Sequence, residues 1–378
     1  MKKVGIITFH FADNFGAVLQ AYALTKKIEN YGINVEIINF TPQKLRSPYA
    51  LFPNIRAMLS NKGISHTIRT VLGRIYNIKY YVSKIRNFNN FRKMHLYISQ
   101  QNYKTADELK DVENRYDYCI TGSDQVWNPK FFSGFRGSYF LDFAGEKTKK
   151  ISYAASISEK VETTYYKQYF EYLQDFNNIS VREESAKDFL ESIINKKIEV
   201  TLDPTLLLNK DEWNEIATCK KSCNQYILVY NLVNDPIVVK LANKISRETS
   251  YRIVSYSKKS QFINWDSSFS SCNPTEFLSL FANAELIITN SFHGTAFALI
   301  YNKLFFTIPH PVRGSRMIDL LLKLGLDNQL IRNEQDVENL NKDIDYNEVN
   351  SKLLYMKKQS INFLEQVLEI GADYNNED

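Results

Sequence analysis

The sequence predicts an α/β protein of two doubly wound domains that face each other across a cleft, with a basic helical insertion in the first. Three observations carry this. The chain opens as strand, helix, strand: Val4–Phe9 is a short apolar run, Gly16–Tyr31 has apolar residues at helical spacing, and Val35–Phe40 is apolar again. A second α/β series starts near Tyr226 and repeats the pattern. Between the two, Asp203-Pro204 and the polar stretch Asn209–Gln225 read as a crossing from one unit to the other. A length of 378 residues suits two cores better than one.

Gly32 ends the first helix. No G-x-G-x-x-G follows the first strand, so the opening is not a dinucleotide fingerprint. The loop above it, His10–Phe15, offers Asp13 and Asn14 for ligand contact, although turn and helix-cap chemistry alone would place both there. Thr41–Pro53 is irregular, and helices are expected at Ile64–Arg74 and Tyr80–Lys93. Eleven of the 47 basic residues and none of the 42 acidic ones fall between Gln43 and Gln100. The rest of the chain is therefore net acidic, and this segment suits either a solvated surface or an anionic membrane.

Strand Tyr116–Thr121 feeds Gly122-Ser-Asp-Gln-Val-Trp-Asn-Pro129. Asp124 there can accept a hydroxyl proton. Gln125, Trp127 and Asn128 can hold a sugar by hydrogen bonds and ring stacking, or they form a turn over a buried Trp. Lys150–Ser156 is another strand. Asn178–Val181 leads to Arg182 at a strand end, where a guanidinium can fork onto a carboxylate or phosphate, or onto a neighbouring Glu. Glu183 and Glu184 open the next helix, in keeping with its dipole.

The second unit reads strand Tyr226–Leu232, helix Ile237–Glu248, strand Tyr251–Tyr256 and helix Pro274–Ala282. After strand Leu286–Ile288 come Thr289, Asn290 and Ser291, then His293, Gly294 and an apolar helix from Thr295 to Ile300. His293 thus lies at the carboxyl end of a strand and the start of a helix, where open α/β sheets bind ligands and helix N–H groups favour anions. The alternative is a histidine that caps its own helix. Strand Leu304–Ile308, helix Ser315–Leu324 and a terminal helix Val349–Ile370 complete the chain, with a frayed tail from Gly371. These readings give domains at 1–200 (insertion 43–100) and 201–350, then a C-terminal helix and tail at 351–378.

A composition of 44% hydrophobic and 24% charged residues is that of a soluble globular protein. The 24 Tyr and 24 Phe suit sugar rings as well as a core. Cys119, Cys219, Cys223 and Cys272 form no disulfide or zinc pattern and read as thiols of a reducing compartment. No secretory leader or membrane span is evident, so a cytoplasmic location is expected. No metal and no nucleic-acid partner are expected.

Asn14-Phe-Gly-Ala-Val-Leu-Gln20, Gly122-Ser-Asp124, Ile179-Ser-Val-Arg182, Asp203-Pro204 and Ser291-Phe-His-Gly294, in that order, resemble the polysaccharide pyruvyl transferase family. The resemblance implies a GT-B-like pair of Rossmann-like domains. It implies transfer of the enolpyruvyl group of phosphoenolpyruvate onto two sugar hydroxyls as a ketal, with release of phosphate and no other cofactor. The acceptor would be a cell-surface polysaccharide or its lipid-linked precursor, made at the inner face of the membrane. His293 and Arg182 match donor-site positions, with Ser291 and Gly294 beside them; Asp124 is a candidate base by position. The family pattern reads Arg-Leu-His where this chain reads Ser291-Phe-His293, so Arg313 or Arg316 is the candidate for the missing charge. A nucleotide-sugar glycosyltransferase and a non-catalytic glycan-binding protein are the alternatives on the same scaffold.

Overall fold

A computed structural model describes residues 2–52, 54–129, 137–158, 161–218, 225–256, 261–310 and 314–370. Its strands are β1 (Lys3–Ile7), β2 (Asn34–Ile37), β3 (Tyr118–Thr121), β4 (Lys149–Ala155), β5 (Asn178–Val181), β6 (Ile198–Val200), β7 (Tyr226–Tyr230), β8 (Arg252–Ser255), β9 (Trp265–Ser268), β10 (Leu286–Thr289) and β11 (Leu304–Thr307). Its helices are α1 (Phe15–Glu29), α2 (Gln43–Arg46), α3 (Ile55–Lys62), α4 (Ile64–Tyr76), α5 (Ile78–His95), α6 (Tyr166–Leu173), α7 (Glu184–Glu191), α8 (Lys210–Asn214), α9 (Pro236–Thr249), α10 (Pro274–Asn283), α11 (Phe292–Ile300), α12 (Ser315–Leu324) and α13 (Tyr346–Val367).

The strands form two parallel sheets, ordered β2-β1-β3-β4-β5-β6 and β11-β10-β7-β8-β9. Both orders reverse once. In the first sheet the chain leaves β1 on one side and returns as β3 on the other; in the second, β7 and β10 bracket the reversal. Ligands in such sheets bind beyond the strand ends at that reversal. The central strands are apolar throughout because helices cover both faces: Leu286–Ile288 on β10 and Ile227–Val229 on β7 are buried.

The expected elements are present, and the structure adds β6, β9, α2, α3, α6 and α8 to them; α2 lies in the stretch expected to be irregular and α8 in the polar crossing. The first strand stops at Ile7, so Thr8 and Phe9 belong to the loop above it. Helix α11 begins at Phe292 rather than Thr295, because Ser291 is the extended cap residue, and His293 is thus inside the first turn. The terminal helix starts earlier than expected. Asp345 caps it by accepting from Asn347 N (2.9 Å), and the helix ends at Val367.

The two halves share a core. Phe15 of α1 stacks on Phe277 of α10 (4.2 Å, 12°) and lies 5.1 Å from Phe88 of α5. Val18, Leu19, Phe281 and Phe297 continue the same cluster. The cleft is therefore confined to the loops above the strands. Helix α5 anchors the basic insertion, with Phe88 and Phe91 fully buried. Near its end α13 packs Leu364 and Val367 against Val4, Ile6 and Ile120 of the first sheet. Earlier it packs Val349 with Leu321 and Leu324 of α12. Phe15→Ala should cost about 3–5 kcal/mol of stability, the usual range for removing a buried ring. Urea unfolding checks this, and a loss under about 1 kcal/mol would mean that the halves are held elsewhere.

Candidate active site

The two reversal points face each other. The loops after β1 and β3 meet those after β7 and β10 around a cavity of about 470 Å³. Asp124 and Gln125 reach it from the first half, and Asn290, Ser291 and His293 from the second. Arg316 enters from the first turn of α12, and Lys44 and Tyr49 of the insertion form part of the wall. Burial first, and then the negative charge of Asp124, push the Tyr49 phenol up to about 12, so it stays a hydrogen-bond donor near that carboxylate.

Asp203 is fully buried beside this cavity. Its Oδ1 accepts from Thr205 N (2.9 Å) and Thr205 Oγ1 (2.7 Å). Its Oδ2 accepts from Ser123 Oγ (3.1 Å) and lies 3.2 Å from Arg182 Nη2 and 3.7 Å from His293 Nε2. Arg182 Nη2 also donates to Ser123 Oγ (2.5 Å). Burial alone would raise the Asp203 carboxyl. Arg182, and after it His293 and Thr205, reverse that and hold it well below the usual carboxylate range.

His293 is wedged in place. A Cβ added to Gly16, at the start of α1, would lie 2.1 Å from its Nδ1. The imidazole can sit there only because residue 16 is glycine. Gly294 serves the backbone instead. A Cβ on it would lie 2.2 Å from Thr289 Oγ1, so its bare Cα lets the helix start press against the strand end.

Two arginines border Phe292, with Arg182 Cζ 5.1 Å and Arg316 Cζ 5.6 Å from the ring centre. Nε and Nη1 of both are buried without a hydrogen-bond partner. Burial first, and then the charge of Arg182, pull the Arg316 guanidinium down to about 10, against the opposing pull of Glu183, Asp124 and Asp203. Unpaired buried donors are costly, and a bound anion would satisfy them. A second cavity of about 520 Å³ shares Phe292 and Arg316 with the first and is lined by Arg182, Asp203 and Lys323. Neither Asp124 nor His293 borders it.

The backbone at Asp124 is strained. Its φ is +93°, rare for a residue with a side chain. Its carbonyl accepts from Ser156 N (2.9 Å). Glu183 fixes that neighbouring loop, its Oε1 accepting from Ser156 Oγ (3.0 Å), Ile157 N (2.8 Å) and Ser158 N (2.8 Å).

The sequence profile described as polysaccharide pyruvyl transferase matches residues 14–310. The chain belongs to this family. No curated protein is matched by the chain. Solved structures show a likeness in fold at low identity. A putative UDP-N-acetylglucosamine 2-epimerase from Listeria monocytogenes superposes with a TM-score of 0.53 at 10% identity, covering 100% of this chain and 98% of the other. UDP-GlcNAc 2-epimerase from Methanocaldococcus jannaschii gives 0.51 at 13%, covering 97% and 100%. The S. aureus MnaA-UDP structure gives 0.51 at 12%, covering 98% of each. The two-sheet, GT-B-like arrangement thus extends over the whole transferase.

Not every residue singled out in the sequence of this transferase reaches the cavity. Asn14 does, and it also caps α1 by accepting from Ala17 N (3.2 Å). Gln125 does, with Oε1 buried and unpartnered. Asp13 instead pairs with Arg92 of α5 (2.7 Å) and is buried behind the loop. Trp127 is packed on Phe140 (5.1 Å, 7°) and donates from Nε1 to Tyr139 O (2.9 Å). Asn128 is buried beside it. Arg182 pairs with Asp203 and not with a glutamate. Arg313 lies outside the described residues. Cys119 and Cys272 are free thiols, and burial pushes Cys119 up to about 12; Cys219 and Cys223 lie outside the described residues. Among the described residues no group of three or more His, Cys, Asp or Glu side chains could hold a metal ion.

Sequence reading placed Asp203, Ser123 and Gly16 within motifs of the family resemblance but gave them no role in the site, and it did not single out Tyr49. The signal for Asp203 was present in Asp203-Pro204, where a side chain accepting from the N–H two residues on looks like a turn. Asp203→Asn should cost about 3–5 kcal/mol at neutral pH, because it leaves Arg182 buried without its counter-charge. The folded carboxyl titrates below its unfolded value, so its contribution is full above about pH 4 and declines as the pH falls. The stability gap between wild type and variant should therefore narrow below about pH 4. A gap independent of pH would show that Asp203 is not ionised.

Proposed function

We infer that the transferase moves the enolpyruvyl group of phosphoenolpyruvate onto two hydroxyls of a glycan, or of its lipid-linked precursor, as a ketal. The observation that carries the reading is that His293 shares its cavity with Arg316 and meets Arg182 across Asp203, and that both arginines keep unpartnered N–H groups there. Phosphoenolpyruvate brings a phosphate and a carboxylate, and this corner has cationic donors without partners. Arg316 supplies the charge that the family pattern places at 291, where this chain has Ser291.

In this mechanism the His293 imidazolium gives its proton to the methylene carbon of the enol, and the adjacent carbon becomes electrophilic. A glycan hydroxyl attacks that carbon as Asp124 accepts its proton. The bond to the phosphate oxygen breaks, the phosphate leaves with the electron pair, and the second hydroxyl closes the ketal. Two hydroxyl protons are released in all; one balances the new methyl group and the other leaves on phosphate. Asp203 does not touch the substrate in this scheme. Its Oδ2 lies 3.7 Å from His293 Nε2 and keeps the imidazole oriented. With a lipid-linked acceptor, the protein works at the inner face of a membrane.

Phosphoenolpyruvate should raise the melting temperature, and UDP- and GDP-sugars should not. Arg316→Ala should weaken donor binding by about ten- to a hundredfold, corresponding to the loss of a charge-assisted hydrogen bond worth ~1.5–3 kcal/mol. His293→Ala should keep the thermal shift and lower phosphate release by ~10²–10⁴-fold, as expected for a general acid. A shift with a nucleotide sugar alone would favour glycosyl transfer. A shift with oligosaccharide alone would favour a binding protein.

A further inference from the structure

We propose that α4 is a membrane-docking helix that lies on an anionic lipid surface and sets the glycan cavity beside it. The proposal deepens the reading of a lipid-linked acceptor and rests on it for its purpose, though not for its test.

Helix α4 carries Ile64, Ile68, Leu72 and Ile75 at spacings of four, four and three, which puts them on one face. That face is turned to solvent: Ile64 is 69% exposed, Ile68 53% and Leu72 59%. Tyr76 extends it and Arg69 is exposed at its border. Helix α5 repeats the pattern in its first turns, where the exposed Ile78 and Val82 share a face with the exposed Lys79 and Arg86. Single exposed apolar side chains need no explanation, but a contiguous row of them does.

The charge of the segment says what covers this face. Eleven Lys and Arg residues and no Asp or Glu lie between Gln43 and Gln100. An apolar stripe in a segment whose charged residues are all cations suits the boundary between acyl chains and anionic headgroups. A symmetric contact with a second copy would set like charges against each other, which disfavours that occupant. No described helix is long and apolar enough to cross a membrane, so the contact is with the surface.

The docking helix is joined to the cavity wall. Arg74 of α4 donates to Ala50 O (3.0 Å) and Pro48 O (2.9 Å), and its guanidinium stacks on Tyr81 of α5 (4.0 Å). Pro48 and Tyr49 are themselves part of the wall. Helix α5 is fixed to both halves, through Arg92 to Asp13 and through Asn87 Nδ2 to Ser271 O (2.8 Å). A lipid-borne glycan held at this surface is thus presented next to the site.

The test is co-sedimentation with vesicles of phosphatidylcholine alone and of phosphatidylcholine with phosphatidylglycerol, at low and high salt. The protein should bind the anionic vesicles, and binding should weaken as salt rises because surface attraction is screened within ~10 Å at 0.1 M. The double variant Ile68→Asp/Leu72→Asp changes only exposed positions. It should lose at least about tenfold in vesicle affinity while keeping its circular dichroism and its thermal shift with phosphoenolpyruvate. Equal recovery on both vesicle types, or unchanged binding by the variant, would overturn the proposal. So would a vesicle-independent dimer that the variant abolishes, since that would make the face a contact between copies. Vesicle binding without any response to phosphoenolpyruvate would leave the docking helix standing and remove the donor reading instead.

Discussion

One buried carboxylate joins the chemistry of the two halves. Asp203 lies on the crossing between the sheets, after β6 and before β7, and it touches Arg182 from the first half and His293 from the second. A charge buried this deeply is tolerated only when it is paired and hydrogen-bonded, and Ser123 and Thr205 complete its shell. The arrangement also fixes what surrounds it. Arg182 cannot swing away without stranding Asp203, and the His293 ring fills the space left by the missing Cβ of Gly16.

The remaining polar face of the site is rigid for a different reason. Asp124 is held in a conformation that its side chain disfavours, and β4 carries a register shift between Ser152 and Ala155 next to it. Glu183 ties the loop after β4 by three hydrogen bonds to one oxygen. Strain of this kind persists where the surroundings over-determine it, and it often marks positions where a side chain must be aimed. Together these contacts present Asp124 and His293 from opposite walls of one cavity.

Much of this was legible in the sequence because the signals are local. Leu286–Ile288 could be read as a buried strand, and a histidine four to five residues later had to fall near its carboxyl end. The opening strand, helix and strand were equally plain. Strand β6 has three residues and β9 reads Trp-Asp-Ser-Ser with little burial, so neither carries a run or an alternation that marks a strand. Trp127 and Asp13 were harder still. Loop residues of those types suit a ligand or the fold equally well, and only the distant partners Phe140 and Arg92 decide what they touch. Asp203 shows the same limit from the other side: its local turn is readable, but its contacts with residues 80, 21 and 90 positions away are not.

The way α13 closes the molecule bears on how the chain is made. Val4, Ile6 and Ile120 of the first sheet are covered by Leu364 and Val367, which are synthesised more than two hundred residues after β3. Lys2 Nζ likewise donates to Leu368 O (3.1 Å). During vectorial synthesis the first half therefore carries an uncovered apolar face while the second is still being translated. Such surfaces are the usual substrates of chaperones, and the order of synthesis leaves this one waiting for its cover until the second sheet has been made.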